Sequence, residues 1–510
     1  MGSCVSIADV HVVTSSLVVL LAMGQARADD LKWGADAQGG APYVFEDPTD
    51  PNRLVGFEVE LAGLLAQRVG QRATLVHGPW ANLLELLARG DFDVALNGIE
   101  VTAEKRSVVA LSHPYFAAAE VLTVRKGDVT APRSKAQLAG HPVGTLPGSL
   151  AERIARDAGA VVRTYDGGQN DLYDDLKVGR IDAVLADEPI AAFYGDLEPS
   201  LERVPGDFGV VSYALALRPD DATRLQALDA ALDALVADGT LRALYEKWGL
   251  WNPQVAALLH DPRLEARGAP LELDRWKAAV GKLPPFLERV RTRYPAMLPL
   301  FLEGAALTLA TSLLAMALAV LLGVSLALSR RHGPAPLRWL AVAYTEFFRG
   351  TPLLIQLTMI YFGLPELGVK LDPFVAGVLA LGLNYAAAEA ENYRAGLESV
   401  PSGQHEAATV LGLSTAQTLR HVIAPQALRI ALPPMTNDFI ALLKDSSLVS
   451  IVTLTELTKT YVNLASSTRD HLGLGVLVAG LYLLLGLPFA RLARLAERWF
   501  GRHLEKGANA

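Results

Sequence analysis

Residues 83–98 read LLELLARGDFDVALNG, and residues 172–187 read LYDDLKVGRIDAVLAD; the two align without a gap. Each starts as an amphipathic helix, stops at a glycine, and continues through an aspartate into a short apolar strand. Glycine ends helices because it enters the left-handed region without a Cβ clash. Two such units, 89 positions apart, predict two lobes of the same construction. Around them, residues 31–251 alternate β-rich runs with helical segments, the pattern of an α/β fold.

In open α/β sheets ligands bind beyond the carboxyl ends of the strands. Those ends fall at Asn97, Gly98, Glu100 and Thr102 in one lobe and at Asp187 in the other. A cleft between the lobes is expected there, edged also by Lys105 and Arg106, with Trp80 as an apolar wall. Charges of both signs around one cleft suit a zwitterion, a cation holding its carboxylate and an acid its ammonium.

The chain has 510 residues, too many for one compact domain. Apolar residues make up 51%, unevenly: residues 31–251 read as a soluble protein, whereas from Leu298 onward apolar runs dominate. The net charge of −8 gives no reason to invoke nucleic acid. A single cysteine, Cys4, excludes an intramolecular disulfide and disfavours a thiol-based metal site. An apolar run from Val10 to Met23 followed by Ala26-Arg27-Ala28 fits a secretory signal over residues 1–28, although Asp9 stands where a basic residue is usual.

Five stretches are long and apolar enough to span a membrane: residues 299–328, 337–364, 373–393, 428–457 and 472–493. The second is interrupted by EFFRGTP (346–352) and the fourth contains Pro433-Pro434, so both are expected to kink or break. Residues 252–297 read as a charged linker with weak helical pattern. Ionisable residues inside the stretches (Glu346, Arg349, Lys444 and Asp445) are expected to form structural pairs or line the route. Arg330, Arg331 and Arg338 follow the first stretch, Arg394, Arg420 and Arg429 the third, and the tail after the fifth is equally basic. The other loops carry only Lys370, then Lys459 and Arg469. The positive-inside rule therefore puts the odd loops and the tail (499–510) in the cytoplasm, and the first half of the chain outside.

The third loop contains EAATVLGLSTAQTLRHVIAP (406–425). Its first part is helical up to Gly412, and Ser414 with Gln417 has the spacing of a capping box. Ala407 and Ala408 leave one face nearly bare, so another surface can approach closely.

Residues 31–251 resemble the periplasmic binding proteins for polar amino acids, in GFEVELAGLLAQRVG (56–70), DFDVALNGIEVTAEKR (91–106), SHPY (112–115), DAVLADEPIAA (182–192) and YEKWGLW (245–251). The third loop, with EFFRGTPLLIQL (346–357) and ALRIALPPMTNDFIALLKDSSL (427–448), resembles the permease subunits of polar amino-acid ABC importers over residues 298–498. Together they imply a two-lobed type II binding protein (29–251) followed by an all-α permease of five helices. The lobes would be joined by crossovers near residues 122–125 and 213–217. Asp36 and Asp187 would hold the ligand ammonium and Trp80 would pack on its side chain, with Ser149 at the second lobe's edge. Glu406, Ala407, Ala408 and Gly412 would form the coupling helix that docks on an ATP-binding subunit. The chain departs from the family's pattern where Ser or Thr is usual and Glu100 stands, where Arg is usual and Lys105 stands, and at Gly39-Gly40 and Leu146. An extra carboxylate at Glu100 favours a cationic amino acid; the other reading has Glu100 outside the cleft or capping a turn.

No GxxxxGK[ST] phosphate loop occurs, Gly281-Lys282 being followed by Leu283, and no nucleophile–base or metal-ligand set is evident. The sequence is thus read as the fused receptor and permease of an amino-acid importer in a bacterial inner membrane, binding no cofactor itself. ATP and Mg would reside in separate cytoplasmic ATPase subunits, and a second permease copy would complete the pathway. A ligand-gated channel of glutamate-receptor type is the alternative, weakened because both lobes finish before the first span and no TVGYG-type filter appears.

Overall fold

A computed structural model describes residues 30–37, 40–165, 168–266, 268–281 and 283–501. The expected signal segment lies outside the described residues.

The repeat is visible as geometry. Helix Leu83–Arg89 ends at Gly90 with φ 80°, and helix Gln169–Lys177 is followed by Gly179 with the same φ. The chain then buries Phe92, Val94 and Leu96 in one copy and Ile181, Val184 and Leu185 in the other. The two emerging strands occupy equivalent places. Val94–Ala95 runs parallel to Asp30–Ala35 and antiparallel to Ala216–Leu217. Ala183–Asp187 runs parallel to Pro142–Thr145 and antiparallel to Phe116–Arg125.

Lobe 1 is a five-stranded sheet in the order Arg72–His77, Asp30–Ala35, Val94–Ala95, Ala216–Leu217, Ala110–Leu111. Lobe 2 has six strands centred on Phe116–Arg125. The chain enters lobe 2 through residues 112–115 and returns between Tyr213 and Ala216, where Ser112 N–H donates to Leu215 O and Tyr115 N–H to Tyr213 O. The first crossover therefore lies ten residues before the expected 122–125. Those residues are the far end of the long strand, paired with Ala183–Asp187 and Leu201–Val204 inside lobe 2.

The described residues of the linker between 252 and 293 are partly helical and pack on the receptor. They carry three short helices, and Trp276 is buried against Phe45 (ring centroids 5.0 Å apart) with its indole N–H donated to Phe193 O at 3.0 Å. The connector is a strap laid over the receptor.

The second half is helical. Among the described residues three helices are long and apolar enough to cross a membrane: Tyr294–His332, Pro373–Glu398 and His471–Leu492. The first two pack most intimately, because glycines let the backbones close: a Cβ at Gly323 would sit 2.6 Å from Glu389 Cβ, and one at Gly382 2.7 Å from Leu318 Cδ2. The second apolar stretch breaks as expected, into Ala335–Gly350 and Leu353–Thr358. The Gln356 amide repairs the break by donating to Phe348 O (3.0 Å) and Thr351 O (3.1 Å), and Asn384 adds a bond to Phe348 O. The fourth stretch does not break at its prolines. Ala424–Asp445 runs through Pro433 and Pro434 and tightens into a 3-10 turn only at Ser446–Val452. Glu346, Arg349 and Lys444 are exposed on a single chain, and Asp445 accepts a bond from Tyr385 Oη at 2.7 Å.

Lobe 1 sits on the loop between the second and third stretches. Arg89, buried, stacks its guanidinium 3.7 Å from the Tyr361 ring centroid, donates to Tyr361 O (2.7 Å) and Leu371 O (3.2 Å), and pairs with Asp91. One apolar cluster runs from Leu83, Leu86 and Phe92 to Leu357 and Tyr361. Arg89→Ala is expected to loosen this seat by about 3 kcal/mol, since it leaves Asp91 and the carbonyls of Tyr361 and Leu371 without the buried cation they pair with. Hydrogen exchange of residues 359–371 in the full chain should then speed up by about a hundredfold, while the amides of Phe116–Arg125 keep their protection.

Candidate functional site

The sheets direct their strand ends at a shared cleft lined by Asp36, Tyr43, Trp80, Asn97, Gly98, Glu100, Glu120, Thr145, Leu146, Ser149, Gln169, Asp187 and Tyr213 among others. It brings together seven of the ten residues expected from sequence: Asp36, Trp80, Asn97, Gly98, Glu100, Ser149 and Asp187. Thr102 instead caps helix Ala103–Val108, accepting Lys105 N–H, and lies outside the lining. Arg106 is exposed on that helix, away from the cleft. Lys105 flanks the site, its ammonium 3.7 Å from Glu100 Oε2 and 5.6 Å from the Trp80 ring centroid.

The lobe 1 wall is built on a buried carboxylate. Glu58, on helix Phe57–Arg68, accepts Gly98 N–H at 2.8 Å, Asn97 Nδ2–H at 3.4 Å and the Tyr115 hydroxyl. Asn97 then accepts Asp36 N–H at 2.9 Å through its side chain and the Trp80 indole N–H at 2.9 Å through its carbonyl. Asp36 in turn accepts Trp80 N–H at 2.9 Å. The positions of Asp36, Trp80, Asn97 and Gly98 are thus interlocked.

Besides Ala41 N–H to Tyr194 Oη at 2.8 Å, bonds that cross from lobe to lobe end on two of the cleft carboxylates. Leu150 N–H, at the start of helix Leu150–Asp157 in lobe 2, donates to both carboxylate oxygens of Glu100, at 3.0 and 2.9 Å. Glu100 therefore points into the cleft and also caps a turn; the two readings of this residue coexist. The Tyr43 hydroxyl of lobe 1 donates to Asp187 Oδ2 at 2.7 Å. Asp187 also accepts the Tyr213 hydroxyl and caps helix Glu188–Phe193 through Ile190 N–H.

Glu120 was not expected from the sequence. It is the register partner of Asp187 on the neighbouring strand, 2% exposed, and its Oε2 has no hydrogen-bond partner. Its signal is a lone acid inside FAAAEVLTVR, a mostly apolar and largely buried strand. Burial, reinforced by Asp187 and Glu100, pushes the Glu120 carboxyl well above the usual range. Burial also raises Glu100 and depresses Lys105, their mutual attraction pulling the other way. Four carboxylates share the lining, which among the described residues includes no lysine or arginine.

At the far end of the molecule, Ser402–Val410 is helical and Gly412 turns with φ 77°. The expected capping box of Ser414 and Gln417 is present. Glu406 and Ala407 are exposed, as are Val410 and Leu411, but Ala408 is buried on its own chain, so the bare face is narrower than expected.

Burial shifts the Glu58 carboxyl from 4.5 to about 7. A carboxyl raised in the fold stabilises fully below its unfolded value and loses that contribution as pH rises to the folded one. Glu58→Gln should therefore flatten the fall in receptor stability between about pH 4.5 and 7, a difference of roughly 3 kcal/mol, followed by tryptophan fluorescence during denaturation of the full chain at pH 5, 6 and 7.5.

Comparison with known proteins agrees with this architecture. Residues 31–250 match the bacterial extracellular solute-binding proteins, family 3, and residues 319–502 the binding-protein-dependent transport system inner membrane component. The probable glutamine ABC transporter permease protein GlnM of Bacillus subtilis is 38% identical over 41% of this chain and 94% of its own length. The arginine transport system permease protein ArtQ of the same organism is 35% identical over 39% of this chain and 92% of its own. An ancestral arginine-binding protein, solved bound to glutamine, is 30% identical over 44% of this chain and all of its own, with a TM-score of 0.41. A two-lobed solute-binding region placed ahead of a helical region this similar to whole permeases settles the family: the chain belongs to the amino-acid ABC transporter permeases, as a form that carries its own solute-binding domain.

Proposed function

We propose that the chain captures a cationic amino acid between its lobes and passes it inward through a permease formed with a second copy, driven by separate ATPase subunits. The observation that carries the cationic reading is the buried, unpartnered Oε2 of Glu120 in a cleft already lined by Asp36, Glu100 and Asp187. A buried carboxylate without a donor costs several kcal/mol, and an ammonium or guanidinium removes that cost. Glu100 supports the same reading. It occupies the Leu150 amide, a helix N-terminus suited to a carboxylate, with Lys105 beside it. A ligand carboxylate arriving there displaces Glu100, which is then free to meet the ligand's own cation.

Exposure of Glu346, Arg349 and Lys444 on a single chain supports the second copy, because charges at membrane depth face protein or water rather than lipid. Five crossings remain the reading that fits the basic loops, with the second and fourth built from shorter helices. That arrangement sets the strap and the receptor on the periplasmic face of the inner membrane, and helix Ser402–Val410 in the cytoplasm. There Glu406, Ala407 and Gly412, flanked by the exposed apolar side chains of Val410 and Leu411, present the docking face for the ATPase. ATP and Mg belong to that subunit.

Equilibrium binding of the twenty amino acids and ornithine to the full chain in lipid nanodiscs tests the ligand class. L-Arginine, L-lysine or L-ornithine should bind tightest, and tight binding of acidic amino acids alone would refute the reading. Glu120→Gln should weaken L-arginine by about 10- to 100-fold, the effect of losing one buried charge-assisted contact, while L-glutamine changes by less than about threefold. Ala407→Asp places a charge on the docking face. It should abolish ATP-driven uptake in proteoliposomes holding the ATPase and leave L-arginine affinity unchanged.

A further inference from the structure

The turn and helix between the fourth and fifth apolar stretches reach the receptor. Helix Leu457–Thr468 carries Lys459 in its first turn, and the Lys459 ammonium lies 4.0 Å from Asp36 Oδ1 in the ligand cleft. Both residues are nearly buried, at 9% and 7% exposure. Lys459 is held from the membrane side. Glu456 accepts its backbone N–H at 2.9 Å, and the other oxygen of Glu456 accepts the hydroxyls of Thr308 (3.2 Å) and Tyr482 (3.0 Å), one on each of two spanning helices. Glu46 and His77 of lobe 1 lie within electrostatic reach of the same ammonium.

A desolvated ammonium beside a carboxylate satisfies part of that carboxylate's need for positive charge. Asp36, with Asp187, is also where the resemblance to amino-acid-binding proteins puts the ligand's ammonium, and the inference rests on that assignment and on the proposed function. Two ammoniums that share one carboxylate repel each other in a site from which water is largely excluded. We infer that Lys459 is a permease residue of the receptor's ligand site, a cation that competes with the ligand's ammonium for Asp36 whenever the receptor is seated. The seated receptor then holds its ligand less tightly than its own cleft allows, which favours release at the mouth of the permease. Because Glu456 ties Lys459 to Thr308 and Tyr482, a shift of either spanning helix changes how closely this cation approaches Asp36. Linkage makes the effect reciprocal: a bound ammonium weakens the contact between Lys459 and Asp36.

The test uses the full chain in nanodiscs and equilibrium binding of radiolabelled L-arginine. Lys459→Met and Lys459→Gln should each bind about tenfold tighter than the parent chain, and Lys459→Arg should bind like the parent. The gap between Lys459→Met and the parent should narrow as ionic strength rises from about 0.05 to about 0.5 M. An unchanged or weaker Kd in both neutral variants overturns the inference, as does a Lys459→Arg that binds as tightly as Lys459→Met, which would make the effect one of packing. If L-arginine binds neither the parent nor the variants, the cationic-ligand reading itself fails and takes the inference with it. That outcome is distinct from binding that does not respond to Lys459.

Discussion

Carboxylates buried in and behind one cleft must find donors, and this constraint orders most of the receptor. Glu58 takes the amide of Gly98 and the hydroxyl of Tyr115, and so fixes the strand end that carries Asn97. Asp187 takes the hydroxyls of Tyr43 and Tyr213 and an amide of its own helix, and so ties one lobe to the other. Glu100 takes the amide of Leu150 across the cleft. Glu120 is left over. Glu100 and Asp187 carry bonds from lobe to lobe and Glu58 braces lobe 1, whereas the fourth acid lacks a donor on Oε2.

What the sequence revealed followed from local rules. The two-lobed plan was legible because Gly90 and Gly179 sit at the same place in each copy, and a left-handed helix stop is a property of one residue. The break before Pro352 and the capping box at Ser414 were legible for the same reason. The first crossover was misplaced because Phe116–Arg125 is one unbroken strand without a Gly, Pro or Asn to mark where the chain leaves one lobe for the other. Glu120 went unnoticed because its importance arises only from its register with Asp187, a partner 67 positions away. The buried face of Ala408 and the contact of Lys459 with Asp36 are likewise products of tertiary packing. Asn97, Gly98, Glu100 and Asp187 could be named in advance because they lie at strand ends, whereas Asp36 and Ser149 were legible only through the resemblance to amino-acid-binding proteins.

The strap changes the meaning of the fusion. A flexible tether raises the local concentration of a receptor and leaves its orientation free. Here Trp276 anchors the connector in the receptor core, and Arg289 pairs with Asp470 at 2.5 Å on the membrane side. The connector therefore fixes orientation as well as proximity, and the receptor docks as an already aligned body.

The seat so formed is unequal. Lobe 1 rests on a continuous apolar cluster with the buried Arg89 at its edge, and apolar burial stabilises at about 25 cal/mol per Å². Lobe 2 meets helix Leu457–Thr468 and the Arg469 that ends it through polar contacts: Asn170 Nδ2–H to Ser466 O at 2.7 Å, and Arg469 with Glu198 at 2.8 Å and Asp174 at 3.8 Å. Asn170 is buried and the Arg469–Glu198 pair largely so, but parting the two surfaces returns both partners of each contact to water, so the net cost of each is small. Opening the cleft separates the lobes, so one side of this seat must give way. Polar contacts exchange for water at small cost, whereas the apolar cluster cannot, so lobe 2 is the lobe free to swing. Lobe 1 stays, and with it Asp36 stays beside Lys459, so the cation remains in place through the opening that admits and releases the ligand.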